Sequence, residues 1–146
     1  AHQNGEIRWS NYPSVHIMGD LDTLLQLFKN LIKKGLKYNQ QAIPTVVITV
    51  TIKESYCELS FADNGIGIPS EYRAQVFKMF KRLHTRNTYE GTGLGLATAK
   101  KIVNKHGGNI WIEPNNTIGT RICFTLPLAQ KVISHSDKAL LIMKNI

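Results

Sequence analysis

Thr45 to Ile52 and Tyr56 to Ala62 are two strand-like runs, rich in Val, Ile, Thr and aromatic residues, with only Lys53-Glu54-Ser55 between them. Three residues cannot carry a crossover, so the runs must pair as an antiparallel hairpin. On each side lies a stretch with helical periodicity instead. The first starts after Asp20 or Asp22, either of which can cap it, and runs to about Tyr38. It carries Leu24, Leu25, Phe28, Leu31, Ile32 and Leu36 on one stripe. The second runs from Gly93 to His106, with Leu96, Ala99, Ile102 and Val103 facing inward, and Gly107-Gly108 stops it. A hairpin flanked by two such helices hides every apolar face only if the helices cover one side of a sheet.

Four further strands complete the expected sheet: Glu6 to Ser10, Ser14 to Met18, Asn109 to Glu113 and Thr120 to Leu126. Ser70 is expected to cap a short helix through about Phe77, and Phe80 to Thr92 reads as a polar, basic loop. The predicted fold is an α/β (α+β) two-layer sandwich, a mixed sheet with helices on one face. At 146 residues there is room for one core. The domain is expected over residues 1–128. Residues 129–146 form a tail or the start of a following segment. The apolar run Ala139-Leu140-Leu141-Ile142-Met143 in that tail is expected to find a partner, on this chain or another.

Composition narrows the functional classes. No apolar run approaches the roughly 20 residues of a membrane span, and the polar start has no leader-like apolar region. With no initiating Met, the chain is expected to be a piece of a longer protein. Cys57 and Cys123 sit in strand-like stretches and read as core thiols of a reduced compartment. The net charge of +8, from 18 Lys+Arg against 10 Asp+Glu, calls for an anionic partner. The cations are dispersed and no aromatic residues interleave with them as a base-stacking surface requires. A polyphosphate ligand is therefore favoured over nucleic acid.

Three segments carry chemistry. Asp63-Asn64-Gly65-Ile66-Gly67-Ile68 sets a carboxylate at a strand end, able to accept from an exocyclic amine, beside glycines that let backbone approach a flat ring. Alone it fits an Asx turn equally well. Gly91-Thr92-Gly93-Leu94-Gly95-Leu96 puts glycines before a helix start, where N–H groups and the helix dipole favour an anion. It is neither a Walker loop nor a dinucleotide fingerprint. On Asn30-Leu31-Ile32-Lys33-Lys34-Gly35-Leu36-Lys37-Tyr38, residues 30, 34 and 37 project to one helix flank. Taken alone this is a solvated basic face.

The three occur in order with Phe77-x-x-Phe80, His106-Gly107-Gly108 and Gly119-Thr120. That combination resembles the ATP-binding catalytic domain of sensor histidine kinases, within the superfamily of gyrase, Hsp90 and MutL. The resemblance spans about residues 5–128, and Lys81-Arg82-Leu83-His84-Thr85-Arg86 looks most like phytochrome- and PAS-linked kinases. It implies a Bergerat-type fold that binds ATP. Asp63 would take the adenine N6–H. Gly65, Gly67, Ile68 and Tyr38 would line the adenine pocket, and Thr120 would reach it through water. Thr92, Gly93, Leu94, Gly95 and Leu96 would form the phosphate end, with Lys37 approaching from the first helix. Phe77 and Phe80 would anchor a lid, for which core packing is an equally good reading. Arg82 or Arg86 would swing onto the γ-phosphate. Asn30 would be a ligand of magnesium.

Two departures from the family pattern stand out. A second asparagine one turn after the first normally holds the magnesium, followed by alanine. Here the residues are Lys34 and Gly35. Magnesium takes oxygen ligands and an ammonium offers none. Either Lys34 itself neutralises the phosphates, or the domain binds nucleotide without a productive metal. Secondly, none of the five histidines is followed by the acidic residue of a phosphoacceptor. The resemblance therefore implies the catalytic domain of a two-component kinase, transferring the γ-phosphoryl of ATP to a histidine on a separate dimerisation domain. From there it would pass to a response regulator receiver domain. The intact protein would be a homodimer and cytoplasmic, or the cytoplasmic portion of a membrane sensor. The rivals are a degenerate kinase acting as a scaffold, a self-contained anti-sigma-factor kinase and, on charge alone, a nucleic-acid-binding domain.

Overall fold

The computed structural model describes residues 5–10, 16–73, 75–77, 92–113 and 118–129, and of residues 92–95 the backbone. The elements are β1 (Glu6–Trp9), α1 (Leu21–Lys37), β2 (Thr45–Ile52), β3 (Tyr56–Asp63), α2 (Thr92–Lys105), β4 (Ile110–Glu113) and β5 (Arg121–Pro127). They form a five-stranded sheet in the order β1-β2-β3-β5-β4. β1 runs parallel to β2, with Glu6 opposite Thr45, and every other pairing is antiparallel. The sheet is thus mixed, as expected, and the hairpin of β2 and β3 is its centre.

Alternation on β2 and β3 sends Val46, Ile48, Val50, Cys57, Leu59 and Phe61 to one buried face. α1 and α2 cover it. Phe28 of α1 lies edge-on to Phe61, with centroids 5.5 Å apart, and Phe61 stacks on Phe124 at 5.7 Å. This trio seats α1 on the middle of the sheet. The buried stripe of α1 includes Leu27, absent from the predicted set, while Leu25 and Leu36 are only half-buried. Leu24, Leu27, Phe28 and Leu31 follow the i, i+3, i+4, i+7 spacing more closely than the predicted six. Both cysteines are buried and unbridged.

Asp20, and not Asp22, caps α1: its Oδ2 accepts the Thr23 N–H at 3.0 Å. The Asp20 N–H in turn donates to His106 Nε2 at 3.1 Å, while His106 Nδ1 lies 2.8 Å from the Ile102 carbonyl. The ring therefore ties the end of α2 to the start of α1.

Two expectations are corrected. Of the strand at Ser14 to Met18, the described part pairs only as an isolated bridge between Ile17 and Leu128. The helix from Ser70 to Phe77 is instead two 3-10 turns, Ser70–Tyr72 and Gln75–Phe77. Pro69 holds the cap position and has no side-chain acceptor, so Ser70 falls inside the turn. α2 begins at Thr92, one residue before the expected start. Leu128 and Ala129 still hydrogen-bond, to Ser55 and His16, at the point where the domain was expected to end. The apolar run at 139–143 lies outside the described residues.

Candidate functional site

Asp63 is the last residue of β3, and its carboxylate is almost wholly buried. A buried carboxylate needs several donors. Oδ1 accepts the Gly65 N–H at 2.9 Å and the Thr120 N–H at 3.1 Å. Those bonds fix the start of the glycine loop and the start of β5 on one atom. The Asp63 N–H also donates to the Thr120 carbonyl at 2.9 Å. Gly119, at φ 95°, lies directly on the Asp63 carbonyl, where any Cβ would clash.

Oδ2 faces α1, and Lys34 Nζ stands 3.3 Å from it. The two side chains are only 12% and 7% exposed. Burial pushes the Lys34 ammonium below its usual range, and the attraction of Asp63 opposes that shift. Thr120, whose N–H reaches Asp63 Oδ1, has a buried Oγ1 with no hydrogen-bond partner among the described residues.

Two asparagines without a role in the sequence pattern hold the loop in place. Asn64 Oδ1 accepts from Asn39 Nδ2 at 2.6 Å and from the Thr45 N–H at 2.9 Å, and Asn64 Nδ2 donates to the Ile43 carbonyl. The backbone carbonyl of Tyr38, at the end of α1, accepts the Ile66 N–H at 3.0 Å. The glycine loop is thereby lashed to the exit of α1. The legible signal was an Asx residue at each chain reversal. Alongside lies an open cleft of about 540 Å³ lined by Gln40, Gln41, Gly65, Gly67, Ile68 and Gly119 among others.

The structure thus gathers Lys34, Asp63, Gly65 and Thr120, with Tyr38 joined through its backbone. Gly67 has φ 81°, Ile68 is buried and Leu96 is buried on α2. The backbone of Thr92, Gly93, Leu94 and Gly95 makes the first turn of α2. Asn30 is half-buried on α1 and Lys37 is exposed, its ammonium 5.4 Å from the centroid of the Tyr38 ring. Phe77 is half-buried against the core. Phe80, Arg82 and Arg86 lie outside the described residues. The cationic flank expected from Asn30, Lys34 and Lys37 does not form as such: Lys34 turns onto Asp63 because a buried ammonium must find an anion.

The same geometry bears on magnesium. α1 offers the Asn30 amide, but one turn on it presents an ammonium committed to a carboxylate. Among the described residues no group of three or more His, Cys, Asp or Glu side chains could hold a metal. The donor set on α1 does not fit a hard cation that wants oxygens.

Residues 19–130 match the family described as histidine kinase-, DNA gyrase B-, and HSP90-like ATPase. Among named relatives, the phytochrome-like protein Cph1 of Synechocystis sp. is 40% identical over 123 residues, covering 84% of this chain and 16% of that protein. The sensor histidine kinase WalK of Bacillus subtilis is 39% identical over 123 residues, covering 82% of this chain and 20% of WalK. This chain therefore spans about a fifth or less of either relative. The solved mycobacterial sensor histidine kinase MprB superposes with a TM-score of 0.73 at 29% identity, covering 87% of this chain and 84% of the other. The catalytic domain of the histidine kinase ThkA gives 0.69 at 26% identity, covering 85% and 79%.

Proposed function

From the premise that the chain belongs to the histidine kinase-, DNA gyrase B- and HSP90-like ATPase family, we propose that it is the ATP-binding catalytic domain of a two-component sensor histidine kinase. In the intact protein it serves transfer of the γ-phosphoryl to a histidine on a dimerisation domain, and onward to a response regulator receiver domain. The observation that carries this reading is the buried Asp63 carboxylate, held by two backbone N–H groups at the mouth of the glycine loop. A carboxylate so placed suits an exocyclic amine. One structural neighbour, full-length ShkA in complex with AMPPNP, aligns with a TM-score of 0.72 at 25% identity, covering 88% of this chain and 27% of that one, and its bound nucleotide supports the same assignment.

The roles of the other residues follow the family pattern. Gly65, Gly67, Ile68 and Tyr38 border the base. That pattern assigns Thr92, Gly93, Leu94, Gly95, Leu96, Lys37 and Arg82 to the phosphate end, and Thr120 Oγ1, without a partner among the described residues, to a bridging water. In-line transfer requires the nucleophile to be held close to the γ-phosphate, so the phosphoacceptor must come from another domain. A homodimer in the cytoplasm, or the cytoplasmic portion of a membrane sensor, is the setting that fits. Among the described residues no helix is long and apolar enough to cross a membrane.

Magnesium is the weak point of the site. We expect nucleotide binding that depends little on the metal, and slow transfer. The test is to mix the domain, γ-labelled ATP and the dimerisation domain of the same protein in trans. Weak labelling of the histidine that rises with Lys34→Asn supports a kinase limited at this position. No labelling and no ATP binding in either form favours a scaffold.

A further inference from the structure

The Lys34–Asp63 pair is costly as a structural element. A buried ion pair adds little net stability, because desolvation offsets the attraction. Its hydrogen-bonding capacity is also only partly used. A carboxylate has about four lone-pair sites. Both sites of Oδ1 are filled by Gly65 and Thr120, and among the described residues Oδ2 is engaged by Lys34 alone, which leaves one acceptor position there. The Lys34 ammonium has three N–H donors, and among the described residues one is used. An open acceptor and an open donor therefore lie side by side, their atoms 3.3 Å apart.

Gly35 makes this placement possible. A Cβ there would lie 2.9 Å from Asp63 Cβ, 3.2 Å from Asp63 Oδ2 and 2.8 Å from Val46 Cγ2. Its absence lets α1 settle against the end of β3, within reach of the preceding lysine. Lys34 and Gly35, the two departures from the family pattern, thus act as one unit.

An acceptor next to a donor is how an amide side chain reads adenine, taking the exocyclic N–H and giving a hydrogen to the adjacent ring nitrogen. We propose that Lys34 is a base-reading residue: Asp63 Oδ2 accepts the N6–H of adenine while the Lys34 ammonium donates to the ring nitrogen beside it, N1 or N7. This rests on the adenine reading of the site given above. In this arrangement the ammonium is a specificity group for the base and not a substitute for metal at the phosphates.

The test compares ATP with 1-deaza-ATP and 7-deaza-ATP, each lacking one ring acceptor, by calorimetry on the unmutated domain, Lys34→Met and Lys34→Gln. Circular dichroism checks that each variant folds. The unmutated domain should bind one of the two analogues about tenfold more weakly than ATP, the loss of one charge-assisted hydrogen bond. Lys34→Met should bind that analogue and ATP about equally. Lys34→Gln, which keeps an uncharged donor, should retain part of the discrimination, and it carries the test alone if the methionine variant does not fold. Equal discrimination in the unmutated and variant domains would overturn the proposal. So would tighter ATP binding by Lys34→Met, which would make the ammonium a competitor of adenine. Failure of the unmutated domain to bind any of the three would instead remove the adenine reading on which the proposal rests.

Discussion

Each end of α1 meets an aspartate that accepts backbone N–H groups, and the two behave differently. At the first turn Asp20 is exposed and caps the helix through Thr23, while its own N–H is taken by His106. Exposed to water, it needs no other partner. At the last turns Lys34 meets Asp63, buried at the end of β3 and left with spare hydrogen-bonding capacity. The same chemistry is a cap where water completes it. In the role proposed above it becomes a binding site, where burial keeps water out and a ligand would complete it.

The comparison can be broken by substitution. The largest effect is expected at the buried end. Asp63→Ala leaves the Lys34 ammonium buried without its anion and two N–H groups without an acceptor. It should lower the free energy of unfolding by about 3 kcal/mol in urea titrations. Next is Lys34→Asn, which returns an oxygen to α1 one turn after Asn30. ATP affinity should then differ by about tenfold or more between excess magnesium and chelator, where the unmutated domain shows little difference. Strict magnesium dependence without the substitution would restore an ordinary metal site. Asp20→Ala should cost about 1 kcal/mol of stability through the lost cap and leave nucleotide affinity unchanged.

A further effect is expected on the alkaline stability profile, to which the exposed end contributes nothing. The carboxyl of Asp20 is held below its usual range by the Thr23 hydrogen bonds and stays ionised throughout. The Lys34 ammonium is pushed below 10.5 by burial, so the unfolded chain holds that proton more tightly and stability gains as pH climbs towards 10.5. The buried thiols of Cys57 and Cys123 are pushed from 9.0 up to about 11, so their contribution is lost as pH passes between those values. The two trends oppose. Lys34→Met should remove the first and steepen the loss above pH 9, as read from unfolding midpoints.

The hairpin and both helical stripes were legible because each is a local pattern: period two on β2 and β3, and a helical repeat on α1 and α2. The glycines at 93 and 95, read as preceding a helix, instead lie in the first turn of α2. Asp63 was legible as a carboxylate at a strand end. Its saturation at Oδ1 was not, since Thr120 lies 57 residues away in sequence. Periodicity placed Lys34 on a flank but could not say that the flank ends on Asp63. Nor could the pattern at Gly35 reveal that the missing Cβ is what lets α1 approach. His106 read as part of a helix stop, whereas its ring also accepts the Asp20 N–H, a pairing set by how α2 crosses α1. The 3-10 turns after Pro69 read as one helix because the apolar spacing there is too short to separate them from a single helical turn. Roles at the phosphate end rest on the family pattern.

Everything proposed for the site turns on Asp63 accepting a hydrogen from the adenine amino group. Asp63→Asn keeps the shape and removes the charge, and its amide can turn a donor towards N6–H. Calorimetric titration with ATP should show affinity weaker by about 1–3 kcal/mol than in the unmutated domain, with circular dichroism unchanged. An unchanged ATP affinity in a folded Asp63→Asn domain would contradict this role and leave Asp63 a turn residue at the end of β3.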